Sequence, residues 1–273
     1  MTITIAKSDA KQWETASTHR TPGISIKPLL KRGGHGESLE FNVVRFGGED
    51  FWSPRHRHNF DQIRIGLEGE TKYGKGVLKP RTIGYYPEGT WYGPLSVAEP
   101  SIQAILQLDG ASRCGYVNYD ILDAATEELK QEGTFSKGFY IPADGKEIDG
   151  FQASWERATG QQMIYPERRY AEPLYMNLDA FNWIDAGNGT ATKNVGVFNE
   201  YGTSISMVKL APGASAGIGS ADRTAVAFVL SGEATSGEAA LGTWGAALAD
   251  HEIVSLTGVT ESEIVVVTLP DFK

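Results

Sequence analysis

An all-β chain built from two similar halves is the fold that this sequence predicts, and three observations carry the prediction. Turn formers are abundant, with 32 glycines and 12 prolines in 273 residues, and long helical patterns are few. Short apolar stretches recur at close spacing between those turns, which suits a sandwich or barrel rather than βαβ units. Finally, Ile65-Gly66-Leu67-Glu68-Gly69-Glu70 is echoed by Phe228-Val229-Leu230-Ser231-Gly232-Glu233. Each is a strand followed by x-Gly-Glu, and the strands that close each half, Ile102 to Leu108 and Ile264 to Leu269, also correspond. The repeat has a period of roughly 160 residues, so each half is expected to form one antiparallel barrel.

Residues 1–21 are polar and are expected to form an extended N-terminal arm, tied down by a partner subunit if ordered. A first barrel is expected over 22–116. Its strands are Ile24–Leu30, Leu39–Phe46, Gln62–Leu67, Thr71–Gly74, Gly76–Lys79, Thr82–Pro87 and Ser101–Leu108. A connector follows over 117–172. In it Ile121, Leu122, Ala125 and Leu129 recur at helical spacing, with Gly133 placed to cap the end. Phe151 and Trp155, four apart, mark a second short helix over 149–160, and the remainder reads as irregular but packed. The β pattern returns over 173–273, with strands at Ser204–Leu210, Ala225–Leu230 and Glu263–Leu269.

Charge and composition narrow the function classes. Acidic residues outnumber basic ones 34 to 25, a formal net charge of −9, so nothing invites a nucleic-acid backbone. No apolar run reaches the roughly 18 residues of a membrane span. The first residues lack the charged start and apolar core of a signal peptide. A single cysteine, Cys114, rules out an internal disulfide and fits a reducing compartment. A cytoplasmic protein with a small-molecule partner, and no nucleic acid or membrane, is the expectation.

Chemistry concentrates in Pro54–Glu70, which holds two of only five histidines. Side chains alternate along a strand, so His56 and His58 share a face, with Gln62 and Arg64 continuing it and Asp61 opposite. A β-bulge would be needed to swing Asp61 inward. Arg64, inside a barrel, needs an anionic partner: a substrate carboxylate or a structural Asp or Glu. Tyr73, Tyr85, Tyr86 and Trp91 line a pocket or fill the core. His35, in Gly33-Gly34-His35-Gly36, sits in a surface loop within reach of the barrel mouth. Cys114, without a nearby histidine, offers a less favoured catalytic thiol.

These residues resemble the cupin superfamily, in a two-barrel (bicupin) arrangement. The first family motif places a glutamate and then a glycine after His-x-His; here His56-x-His58 precedes Gln62, in the glutamate's place, and Gly69. The second motif is matched by Gly84-Tyr85-Tyr86-Pro87-Glu88-Gly89-Thr90-Trp91-Tyr92, with Tyr92 where a third histidine would stand. The resemblance implies two jelly-roll type barrels joined by the partly helical connector, and one divalent metal in the first, held by His56, His58 and Gln62. Neutral imidazoles suit Fe(II), which is favoured, as well as Mn, Ni or Zn. Arg64 and Tyr92 are the expected catalytic residues, and Tyr73, Tyr86 and Trp91 are expected beside them in substrate binding. The implied function is an oxygenase acting on an acidic or phenolic small molecule. An isomerase, lyase or cyclase, or a barrel that binds a ligand without chemistry, is the alternative. A homodimer is expected. Aligning Gly232 with Gly69 puts Gly219, Ala221 and Ala225 where His56, His58 and Gln62 stand, and His251 near the third-ligand position. The second barrel is therefore expected to be structural.

Overall fold

The computed structural model describes residues 4–15, 23–33, 38–47, 51–113 and 115–272. His35 and Cys114 lie outside them. Two seven-stranded antiparallel sheets dominate, one in each half of the chain, and each is faced by a four-stranded sheet. In the first half the large sheet runs Leu174–Asn177, Thr82–Tyr86, Asp61–Glu68, Ser101–Leu108, Leu39–Phe46, Ile24–Arg32, Glu14–Thr15. In the second it runs Thr4–Ala6, Ala246–Ala249, Ala225–Ser231, Ser262–Thr268, Ser204–Leu210, Thr190–Val197, Ile184–Gly187.

The edges show an exchange that the sequence pattern did not reveal. Thr4–Ala6 pairs with Ala246–Leu248 of the second sheet. Reciprocally, Leu174–Asn177, just past the connector, pairs with Thr82–Tyr85 of the first. The polar N-terminal arm is thus held in part by its own chain. Each exchange also covers an edge that would otherwise present unpaired N–H and C=O groups.

Because both faces of each large sheet are buried, its strands serve two cores. Along Leu39–Phe46, Leu39, Phe41 and Val43 pack into the seam between the halves, while Val44 and Phe46 pack inside the first half. Along Asp61–Glu68, Ile63 and Ile65 join the seam core. Phe41 meets Phe228 edge to face across it, with ring centroids 5.3 Å apart. The interior of the second half is packed with Val208, Leu210, Ala225, Ala227, Val229, Ile264 and Val266, all apolar and several small.

The repeated x-Gly-Glu has a structural reason. Gly69 (φ 64°) and Gly232 (φ 80°) both adopt the left-handed conformation that favours glycine. A Cβ on Gly69 would meet the Pro100 carbonyl oxygen and Ser101, and one on Gly232 would meet the Glu261 carbonyl oxygen and Ser262. Each glycine therefore lies against the residue that starts its half's closing strand.

The connector carries two helices, α1 (Tyr119–Leu129) and α2 (Gly150–Thr159). Asp149 caps α2, accepting from the N–H groups of Phe151 (3.0 Å) and Gln152 (3.1 Å), and left-handed Gly160 ends it. Gly133, expected as the cap of α1, instead starts the strand Gly133–Ser136, and α1 ends at Lys130. That strand, Phe139–Pro142 and Ile148–Asp149 form a three-stranded sheet where irregular structure was expected. Among the described residues no helix is long and apolar enough to cross a membrane.

Candidate functional site

Backbone pairing brings the two motifs together. His56 N–H donates to the Tyr92 carbonyl (3.0 Å) and Tyr92 N–H to the His56 carbonyl (2.9 Å). Gly89, left-handed at φ 72°, donates its N–H to the His58 carbonyl (2.8 Å). Pro-x-Gly thus turns the chain so that Tyr92 lies directly beside His56, with ring centroids 4.4 Å apart. The His56 and His58 rings are 5.2 Å apart, and both side chains are buried. His56 Nδ1 is 2.6 Å from the Pro54 carbonyl. A carbonyl can only accept, so the ring proton is assigned to Nδ1.

Both histidines line a cavity of about 90 Å³ inside the first half. Apolar side chains from the strands form much of its wall, including Val44, Phe46, Leu95 and Ile105, and its polar lining includes Arg64, Gln107 and Tyr119. The connector closes it: Tyr119 and Leu122 come from α1 and Phe151 from α2. His58 is stacked on Phe60 and meets Phe151 edge to face. The sequence pattern placed none of these closing residues at the site. Their only signal was the apolar face of α1 and the Phe151/Trp155 spacing.

Arg64 organises the polar side. Strand alternation holds, so Gln62 and Arg64 face the interior and Asp61 faces away. The guanidinium donates from Nε and Nη2 to Gln62 Oε1 (3.0 and 2.6 Å), from Nη1 to Tyr73 Oη (2.7 Å) and from Nη2 to Tyr92 Oη (3.2 Å). Its carbon lies 5.0 to 5.3 Å from the ring centres of Tyr86, Tyr73 and Tyr92. Burial works against the charged form, but the oxygens of Tyr73, Tyr92 and Tyr86 more than offset it, so the pKa is raised and Arg64 stays charged. Each of these partners is neutral. Among the described residues, no carboxylate pairs with this 6% exposed cation.

Of the expected site residues, His56, His58 and Arg64 reach the cavity, with Tyr92 and Tyr73 bound to Arg64 and Tyr86 packed against it. Gln62 faces the interior, yet its carbonyl oxygen accepts twice from Arg64 and its amide donates to Tyr92 Oη (3.1 Å). It is committed to orienting Arg64 and Tyr92. Trp91 is 38% exposed and lies against Arg55 and Arg57, outside the histidine cavity but lining a second cavity of about 510 Å³ with Tyr73 and Tyr92. Tyr85 belongs to the seam core.

Glu40 is a further inward-facing polar residue that sequence reading passed over. Leu39 and Phe41 face the seam, so alternation turns Glu40 inward. Register sets it opposite Gln107, which lies opposite Gln62. Its carboxylate accepts from Asn42 (3.2 Å), Tyr116 Oη (3.2 Å) and the N–H of Tyr119 (3.1 Å), which opens α1. Burial raises its pKa.

Asp61 has a different role behind the site. It accepts from Tyr85 Oη (2.7 Å) and Glu88 N–H (2.9 Å) in the seam. Glu88 is itself buried against Ser112 and Arg169. Burial, opposed by those hydrogen bonds and reinforced by the Glu88 charge, pushes the Asp61 pKa from 3.8 up to about 7. The folded chain therefore keeps a proton between about pH 4 and pH 7 that the unfolded chain has lost. Folding stability from this group falls as pH rises through that window. Asp61→Asn is expected to flatten the slope, and urea unfolding of both proteins across the window measures it; parallel slopes would show that Asp61 is ionised throughout.

In the second half, Ala225 packs in an apolar interior, and a Cβ on Gly219 would lie 2.5 Å from the Glu252 carbonyl oxygen. There is no space for an imidazole at that position. His251 is exposed and lines a separate cavity at the seam.

His56 and His58 would supply two nitrogen donors to a divalent ion, since both are buried on one cavity. The protein does not close the rest of a shell. Gln62 is engaged by Arg64, and among the described residues no three or more of His, Cys, Asp and Glu cluster as a metal site.

No family model matches the chain, and no curated protein matches it. Solved structures do. A putative dioxygenase from Nostoc punctiforme aligns over 99% of this chain and 83% of its own, with TM-score 0.63 and 11% identity. A bacterial pirin from Escherichia coli in complex with nickel(II) aligns over 99% and 100%, with TM-score 0.54 and 11% identity. Streptomyces albus HEPD, with 2-hydroxyethylphosphonate and Fe(II) bound, aligns over 99% and 76%, with TM-score 0.56 and 11% identity. At such identity the likeness extends to the fold and assigns no specific activity. The chain has the fold of these cupin-type proteins.

Proposed function

We propose that the two halves are two cupin barrels and that the first is the active site of an enzyme acting on a small organic acid. The observation that carries this is Arg64, a buried cation on the cavity with no carboxylate partner among the described residues. An uncompensated interior charge is costly unless a ligand supplies its counterpart, and a carboxylate or phenolate does so. Arg64 binds the acid group and Tyr92, hydrogen-bonded to Arg64 and Gln62, orients it. Phe60, Phe151 and Leu122 keep water from the reacting atoms. A divalent ion held by His56 and His58 would supply Lewis-acid or O₂ chemistry when bound.

Oxygenation of an acidic or phenolic compound is the preferred reaction class. Isomerase, lyase or cyclase chemistry is the second reading, favoured by two buried imidazoles on the same cavity as Arg64. Turnover of candidate acids with and without O₂ separates the two, since activity unchanged under anaerobic conditions removes the oxygenase. In either case His56→Ala is expected to lower kcat/KM by about a hundredfold or more, whereas Trp91→Ala, outside the cavity, leaves it within a few-fold. Equal effects of both substitutions would place the reaction elsewhere.

A further inference from the structure

The second half lacks the histidine-motif side chains, yet its interior is not filled to the end. Along Ser204–Leu210, Ile205 and Met207 face the seam, so alternation turns Ser206, Val208 and Leu210 inward. Along Ser262–Thr268, Val265 and Val267 face the seam, and Ile264, Val266 and Thr268 face inward. Deep in the half these positions are apolar. Towards one end they are Ser206 and Thr268, both half-buried. Ser206 pairs with Val266 and Ser204 with Thr268. Ser206 and Thr268 are therefore diagonal neighbours on one face, with Cα atoms about 7 to 8 Å apart.

Both line a cavity of about 320 Å³. Its floor is Val208, Ile218 and Val266, all in the apolar core of this half. Ser220 and Arg223 complete its polar side, bridging each other just after left-handed Gly219 (φ 85°). Among the described residues the Arg223 guanidinium meets two backbone carbonyls, those of Tyr201 (3.1 Å) and Gly202 (3.2 Å), both through Nη1. Nε and Nη2 keep their hydrogens for another acceptor. Likewise, no described group hydrogen-bonds the hydroxyls of Ser206, Ser220 or Thr268. Among the described residues no acid lines the cavity. Asp222, next to Arg223 in sequence, is exposed and lines the seam cavity, which Arg223 also borders.

A guanidinium and three hydroxyls around one space offer more donors than the two oxygens of a carboxylate take up together. They match a phosphate group, which brings three terminal oxygens and negative charge. The volume equals roughly ten waters at about 30 Å³ each. That is more than a phosphate ion fills, and the remaining floor is apolar. We propose that the second half binds a small phosphate monoester in this cavity. Arg223, Ser206, Ser220 and Thr268 hold the phosphate, and Val208 and Val266 meet the organic part. The site uses none of the histidine-motif residues and stands apart from the reaction assigned to the first half.

Calorimetric titration of the full chain with propyl phosphate and with inorganic phosphate tests it. Propyl phosphate is expected to bind more tightly than inorganic phosphate, because only its chain covers Val208 and Val266. Arg223→Met should weaken propyl phosphate binding about tenfold or more. The double variant Ser206→Ala, Thr268→Val alters this cavity and not the one at the seam. It should also weaken binding about tenfold, and it serves alone if Arg223→Met fails to fold. Arg113→Met, on the seam cavity, should leave binding unchanged. Absence of propyl phosphate binding, or binding indifferent to the double variant, overturns the proposal. Loss of binding in Arg113→Met also overturns it, by placing the anion at the seam. So does inorganic phosphate that binds as tightly as the ester, which would leave the apolar floor without a role.

Discussion

Arg64→Met is expected to weaken binding of an organic acid about a hundredfold or more without lowering the thermal stability of the ligand-free chain. Truncating one partner of a desolvated, hydrogen-bonded charge pair costs about 2 to 5 kcal/mol, and about 1.4 kcal/mol is tenfold. In the ligand-free chain the balance is different. Among the described residues the buried guanidinium meets neutral partners, and methionine, of similar length, removes its desolvation term. Against it stands the loss of both donors to Gln62 Oε1, a cost of about 1 to 3 kcal/mol. The two nearly cancel. Differential scanning calorimetry of the ligand-free proteins checks this. A fall in Tm of about 8 °C or more, several kcal/mol for a chain of this size, would mean that Arg64 holds the fold instead of awaiting a ligand.

Gly66→Ala is expected to cost about 3 kcal/mol or more, lowering Tm by roughly 10 °C. Gly66 lies in the central strand Asp61–Glu68, two residues past Arg64 and opposite Gln103. A Cβ there would overlap the Lys79 carbonyl oxygen and lie 2.7 Å from the Lys79 carbonyl carbon. Those are backbone atoms, and the neighbouring Arg81 N–H already donates to the Gly66 carbonyl at 3.0 Å, so neither segment can withdraw without breaking the turn. Gly242→Ala, where nothing lies within 4 Å of the added carbon, is the control and is expected to be neutral. Equal unfolding midpoints for the two variants would show that the strand can shift to accept the methyl.

Much of the fold was legible because it depends on local rules. The strands Leu39–Phe46, Ser101–Leu108 and Ser204–Leu210 coincide with the runs expected from apolar pattern and turn residues. Alternation alone put His56, His58, Gln62 and Arg64 on one side and Asp61 on the other. Spacing does not report which hydrogen bonds these inward side chains make. Gln62 faces inward as expected, but a two-residue neighbour competes for its carbonyl, and no spacing rule reports which hydrogen bond wins. Trp91 fell in the second motif yet lies at the surface with Arg55 and Arg57. Glu40 was overlooked because a single charge between Leu39 and Phe41 reads as the solvent face of a strand. In a sheet buried on both sides there is no solvent face.

The sequence by itself determined the repeated x-Gly-Glu turns, the common side of His56, His58, Gln62 and Arg64, and the small residues at the aligned positions of the second half, because period-2 alternation and left-handed glycines are written residue by residue. Only the tertiary structure decided what surrounds the histidine pair. Thr4–Ala6 and Leu174–Asn177 find partners about 240 and 90 residues away. The α1–α2 connector closes the cavity over Phe60 and His58, and Arg64 takes Gln62 for itself. Each is a long-range packing choice, fixed by which buried polar groups can be satisfied together and not by any local pattern.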